Sequence, residues 1–164
     1  MANRDNNTRQ IGPAIGQKYW FTKVGSTDSY EYRADHFDLN VFEVRGGYPE
    51  ERYAEAELRA RRLITGVNER RRELNAGKEL GGHQCYIVYW NVFREAYELD
   101  ARVASNPLYA QGEAYPFGLF KNSEDCEKCM REFEDELRWF YEEYLPLMAE
   151  LDDYDWSEAP GWRG

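Results

Sequence analysis

Four residues in this chain have the side chains and spacing of a metal site. Cys126-x-x-Cys129 sets two thiols one helical turn apart, and His83-x-Cys85 adds an imidazole and a third thiol upstream. Together they make a Cys3His set of the kind that holds structural zinc. A thiol pair at that spacing also serves as a redox couple. Cys126 and Cys129 nevertheless fall on the apolar stripe of their segment, where a free cysteine behaves as a small hydrophobe. Core packing is the expected use, and neither a metal nor a cofactor is expected.

Other catalytic chemistry finds less support. Zinc deaminases carry His-x-Glu followed by Pro-Cys-x-x-Cys, and the glutamate moves protons at the zinc-bound water. Cys85 stands where that glutamate belongs, and Asp125 where the proline does. The sequence contains no nucleophile elbow, P-loop, dinucleotide fingerprint or HExxH motif, and its only histidines are His36 and His83. Carboxylate pairs of the glycosidase kind abound, but on an exposed helix face they are solvated surface. A protein that acts by binding, not an enzyme, is expected.

Charge says what it would bind. The 164 residues hold 21 basic and 31 acidic side chains, a net of −10, which disfavours nucleic acid and anionic membrane surfaces and favours a basic partner. Residues 1–82 carry 14 basic and 13 acidic side chains, whereas Glu124–Glu158 alone carries 14 acids against Lys128, Arg131 and Arg138. The excess is local, so it should form a face. The basic residues Arg59, Arg61, Arg62 and Arg70-Arg71-Arg72 read as a salt-bridged solvent face or a small contact for an acidic group. A mean hydropathy of −0.86, with Tyr86–Trp90 as the longest apolar run, excludes a spanning helix. Met1–Gly16 lacks an apolar signal core, and three cysteines are an odd number for a disulfide scaffold, so a reducing cytoplasm is expected.

These residues need elements to position them. Residues 1–17 read as a polar arm, 18–145 as one α+β domain with subunits 18–82 and 83–145, and 146–164 as an acidic, aromatic tail. The first subunit should hold strands at Lys18–Val24, Ser29–Ala34 and Leu39–Val44, stopped by Gly46-Gly47. A helix should follow from Pro49, with Tyr53, Ala56, Ala60, Leu63, Ile64, Val67 and Leu74 inward, Gly66 weakening its middle, and Gly77 or Gly81-Gly82 ending it. The second subunit repeats the pattern: a central strand Gln84–Val92, a turn near Asn91, a strand Glu95–Val103, a loop Ser105–Gly112 and an edge strand Tyr115–Phe120 around Pro116. Asn122 or Ser123 should cap a helix whose inward stripe is Cys126, Cys129, Met130, Phe133, Leu137, Phe140, Tyr141 and Tyr144. Pro146 should end or kink it, with one more turn over Leu147–Leu151. The expected architecture is an antiparallel β-sheet packed by two main helices, built from two β-meander-plus-helix repeats.

The face this arrangement presents is Glu127, Glu132, Glu134, Asp135, Glu136, Glu142 and Glu143 on the helix. Asp152, Asp153, Tyr154, Asp155 and Trp156 extend it along the tail, where alternating acids and aromatics suit partner docking.

Aromatic strands followed by Phe120-Lys121-Asn122-Ser123-Glu124-Asp125-Cys126 and an acidic helix resemble a recurrent pattern in small bacteriophage and prophage proteins. In those, an aromatic residue, Ser or Thr, and then Glu-Glu-Ala mark the strand-to-helix step. Here the serine comes one residue late and Cys126 replaces the alanine. The resemblance implies an inhibitor of host defence of the anti-CRISPR kind, acting in the host cytoplasm and presenting carboxylates in place of nucleic-acid phosphates. Its partner would be a CRISPR effector or other defence nuclease. The rival expectations are an immunity protein for a nuclease toxin, a Cys3His zinc protein or enzyme, and a virion or scaffold component.

Overall fold

The structure is a computed structural model, and it describes residues 9–78, 84–91, 96–103 and 116–162, with the backbone path alone for the two stretches between 84 and 103. The chain is α+β and forms two compact units, residues 1–59 with 146–164 and residues 60–145. The segment expected as a tail therefore belongs to the same unit as the N-terminal strands. Among the described residues no helix is long and apolar enough to cross a membrane.

In the first unit, strands β1 (Lys18–Lys23) and β2 (Ser26–Glu31) pair antiparallel in the register Tyr19↔Tyr30 and Phe21↔Asp28. The turn between them is only Val24-Gly25, with Gly25 at φ +77, so β2 begins three residues before the expected Ser29. The other edge of β1 takes a single bridge, Trp20 to Tyr48. Where a third strand was expected over Leu39–Val44, the chain forms helix α1, His36–Glu43. Asp35 caps it: its side chain accepts from the Asp38 N–H at 2.9 Å while the Asp38 side chain accepts from the Asp35 N–H at 3.2 Å. That reciprocal capping box outweighs a weak alternating pattern.

Helix α2, Glu51–Asn75, starts within two residues of Pro49 and ends before Gly77, whose φ is +71. Its first turns belong to the first unit and its remainder to the second. In the second unit the expected stripe is inward, with Ala60, Leu63 and Val67 buried against Phe117, Phe120, Cys126, Cys129, Leu137 and Phe140. At Gly66 the helix runs on unbroken, and a Cβ there would only touch the Phe133 ring at 3.4 Å.

Strands β3 (Gln84–Asn91) and β4 (Ala96–Val103) make a second antiparallel pair, separate from β1–β2. Among the described residues β3 has one neighbour and is not the centre of a larger sheet. The expected edge strand at Tyr115–Phe120 is also corrected. Residues 116–119 are turn and irregular, and α2 explains why: Asn68 and Arg71 donate to the carbonyls of Pro116 and Phe117 at 3.0 and 3.1 Å. Asn75 bonds the Leu119 carbonyl and the Lys121 N–H, both at 3.0 Å. Backbone groups held by side chains are not available to a ladder. Tyr115, residues 92–95 after Asn91 where a turn was expected, the expected loop Ser105–Gly112 and residues 1–8 of the arm lie outside the described residues.

The C-terminal helical run is segmented. Asn122 caps α3, Ser123–Glu132, by accepting from the Asp125 N–H at 2.9 Å. Phe133 interrupts it, α4 covers Glu134–Trp139, a wider π turn covers Phe140–Tyr144, and α5 covers Leu145–Ala149. Pro146 thus lies inside a helix that continues. It has no N–H to offer and its ring would strike the Glu142 carbonyl, and the widened turn just upstream relieves that clash. A 3-10 turn, Glu150–Asp153, follows.

Candidate acidic binding surface

The C-terminal run carries the helix acids, the acidic-aromatic tail and the two α3 cysteines, each in a different environment. On α3, α4 and the π turn, the inward stripe leaves the acids outside, with Glu127, Glu132, Glu134, Asp135, Glu142 and Glu143 exposed and Glu136 half-buried. Some of this charge is compensated. Arg70 on α2 donates to both oxygens of Glu132, at 2.9 and 3.1 Å, and to Glu73 at 3.0 Å. Hydrogen bonds from that guanidinium lower the Glu132 carboxyl below its usual value, and the two carboxylates raise Arg70. Arg138 sits between Glu134 and Glu142 at 3.8 and 3.4 Å, one helical turn either way. The side chains of Glu127, Asp135 and Glu143 make no hydrogen bond or ion pair with the described residues. Glu127 and Glu134 also flank a shallow depression of about 240 Å³, whose floor includes Met130 and whose rim includes Arg131.

The tail residues differ. Asp152 and Asp153 are exposed, and Asp153 pairs with Arg9 at 3.0 Å. Asp155 is a cap: it accepts from the backbone N–H groups of Ser157 and Gln10 at 2.9 and 3.1 Å. Trp156 is 6% exposed and packs in the first unit's core with Tyr19 and Phe21, its ring 5.7 Å from Phe42. Tyr154 is half-buried and donates to Glu50 at 2.9 Å. Trp156 therefore closes a core, with the half-buried Tyr154 packed against it, and neither stands out as a fully exposed anchor. The acids of Glu124–Glu158 divide with the fold: those up to Glu143 lie in the second unit and those from Glu150 in the first.

The two cysteines of α3 are core. Cys126 and Cys129 are free and buried, 0% and 1% exposed. Burial raises both thiols, Cys129 to about 11, so the reactive thiolate is scarce near neutrality. Among the described residues no group of three or more His, Cys, Asp or Glu is placed to hold a metal ion. The side chains of His83 and Cys85 lie outside the described residues, so the Cys3His set is described only in its helical half.

The arginine run is mostly structural. Arg70 is held by Glu132, and Arg71 is turned onto the Phe117 carbonyl and Asn68. The salt-bridged face expected of this run is present at Arg70, through Glu73 three residues on and Glu132 62 residues on, whereas Arg71 serves a backbone carbonyl 46 residues away.

No protein-family model matches the chain, and comparison with curated proteins and with solved structures finds no match either.

Proposed function

We propose that the protein is a non-enzymatic inhibitor that binds a basic, nucleic-acid-handling protein, a phage anti-CRISPR-like protein whose acids occupy a site meant for phosphates. The observation that supports this reading is the uncompensated, exposed set Glu127, Asp135 and Glu143 on a helical run whose other face is committed to the core. Exposed charges of one sign speed encounter with a basic groove and set its register.

The arithmetic of charge density sets the limits of the mimicry. From Glu127 to Glu143 seven acids face three basic residues, Lys128, Arg131 and Arg138. Spread over roughly 25 Å of helix, the net charge of −4 is about one per 6 Å, sparser than the one per 3.4 Å of a nucleic-acid strand. The acids would therefore supply steering and orientation, and apolar contact must supply much of the affinity.

Capture from a bacterial lysate tests this. The wild-type chain should retain a nuclease or guide-RNA complex that single-stranded DNA displaces. The triple reversal Glu127→Lys, Asp135→Lys and Glu143→Lys should weaken retention about 100-fold at low salt. These positions hold no structural ion pair, so the variant keeps the wild-type circular dichroism. Equal retention by both forms, or recovery of structural phage proteins alone, would sink the proposal.

A further inference from the structure

The first unit contains a cavity of about 500 Å³ that shares no lining residue with the acids Glu127–Glu143 of the second unit. Its size is that of small-ligand sites, and its walls are mainly apolar, with the aromatic rings of Phe42, Tyr48 and Trp156 among them. Two charged residues of opposite sign line it, Arg45 and Asp152. Each is exposed, and neither has a hydrogen-bonding or ionic partner for its side chain among the described residues. They do not pair with each other, so the cavity offers a separate cation and anion.

Arg45 is also in an unfavourable place for an arginine. Helix α1 ends in a Schellman pattern: the Gly46 N–H bonds the Val41 carbonyl at 2.8 Å and the Arg45 N–H bonds the Phe42 carbonyl at 3.1 Å. The position that this motif reserves for glycine is Arg45, at φ +55. A side chain kept in the left-handed region, beside a glycine that does not need it, suggests that the side chain is wanted. The next residue but one sharpens the wall: a Cβ on Gly47 would come within 2.5 Å of the Phe42 ring.

We infer that this cavity binds a small zwitterion with an aromatic body, of amino-acid to dipeptide size. The ring lies among the aromatic walls, the anionic group faces Arg45, and the ammonium faces Asp152. Charge-assisted hydrogen bonds at both ends orient the ligand, while the apolar body provides the contact area. This site is independent of the acidic surface on the second unit.

Titration of the full chain with L-tryptophan and with Trp-Gly, read by calorimetry and amide chemical shifts, tests it. Saturable binding with a Kd of roughly 0.5 mM is expected for the better of the two, given its size. Shifts should centre on Gly47, Met148 and Leu151. Arg45→Gln and Asp152→Asn should each weaken binding about tenfold, and N-acetyltryptophanamide, which lacks both charges, should bind more weakly still. Arg45→Gly separates binding from folding: it should raise Tm by about 2 °C while losing the ligand. Absence of saturable binding, or equal binding by the uncharged analogue or by Arg45→Gln, would overturn the inference. So would a dimerisation abolished by Arg45→Gln, which assigns the cavity to a second copy of the chain.

Discussion

Replacing Asp38 by alanine should remove about 4 kcal/mol of stability, measured by urea unfolding. This carboxylate is 0% exposed and has no ion-pair partner among the described residues. It is satisfied instead by three donors: the Tyr19 hydroxyl at 2.7 Å and the backbone N–H groups of Arg33 and Asp35 at 2.7 and 3.2 Å. Alanine would take the acceptor from all three, leaving the Tyr19 hydroxyl in a buried site and the two backbone N–H groups in part-buried ones. Asn should rescue much of it, because its carbonyl oxygen can take the place of Oδ2 and accept both backbone N–H groups while its NH2 donates to the Tyr19 hydroxyl oxygen. A loss below about 1 kcal/mol would show that water replaces the carboxylate freely.

The same group gives a pH dependence with a definite sign. Burial raises the Asp38 carboxyl, but hydrogen bonds from Tyr19, Arg33 and Asp35 outweigh it and the net shift is downward. Near its unfolded value, about 3.9, the unfolded chain then binds more protons than the folded one, so stability rises with pH there. The contribution is in place above that value and is lost as pH falls through the lower folded value. Wild type should therefore lose stability between pH 4 and 2 more steeply than Asp38→Ala does. Parallel curves would rule the network out as the cause.

Phe140→Ala should cost a further large amount in the other unit, about 3–5 kcal/mol. Phe140 is 4% exposed and lies 5.1 Å from Phe117, edge to face, and 5.1 Å from Tyr144, stacked. Deleting it removes both pairs and leaves a cavity beside Leu137 and Cys126. Phe140→Leu, which keeps most of the volume, should cost less than about 2 kcal/mol. Similar costs for the two variants would mean that ring geometry, not volume, dominates.

What could be read from the sequence was what depends on near neighbours. The α2 stripe, its stop at Gly77, the Asn122 cap and the strands at Lys18, Gln84 and Ala96 all follow from local periodicity and turn chemistry. Helix α1 was missed because Leu39, Val41 and Val44 suggested a strand, although Asp35-x-x-Asp38 carried the capping signal. The acids at Glu127, Asp135 and Glu143 were legible as exposed because the apolar stripe fixes the opposite face. That Glu132 is tied to Arg70 was not, since 62 positions separate them. Nor was the burial of Trp156, which rests on Phe42 and on the bond from the Gln17 side chain to its carbonyl, across 139 positions. A polar, aromatic tail has no local mark that tells docking segment from core.

That closing segment has a consequence for the order in which the molecule forms. The second unit is one uninterrupted stretch, 60–145, so all of it is synthesised before the last part of the first unit. The first unit's strands and α1 wait through those 86 residues, about 5–15 s of synthesis, for Trp156 to reach the core beside Tyr19. Until then Tyr19, Phe21 and Phe42 lack a lid. Newborn chains should be vulnerable to proteases and aggregation in their N-terminal third, and shortening the chain by even ten residues would make that temporary state permanent.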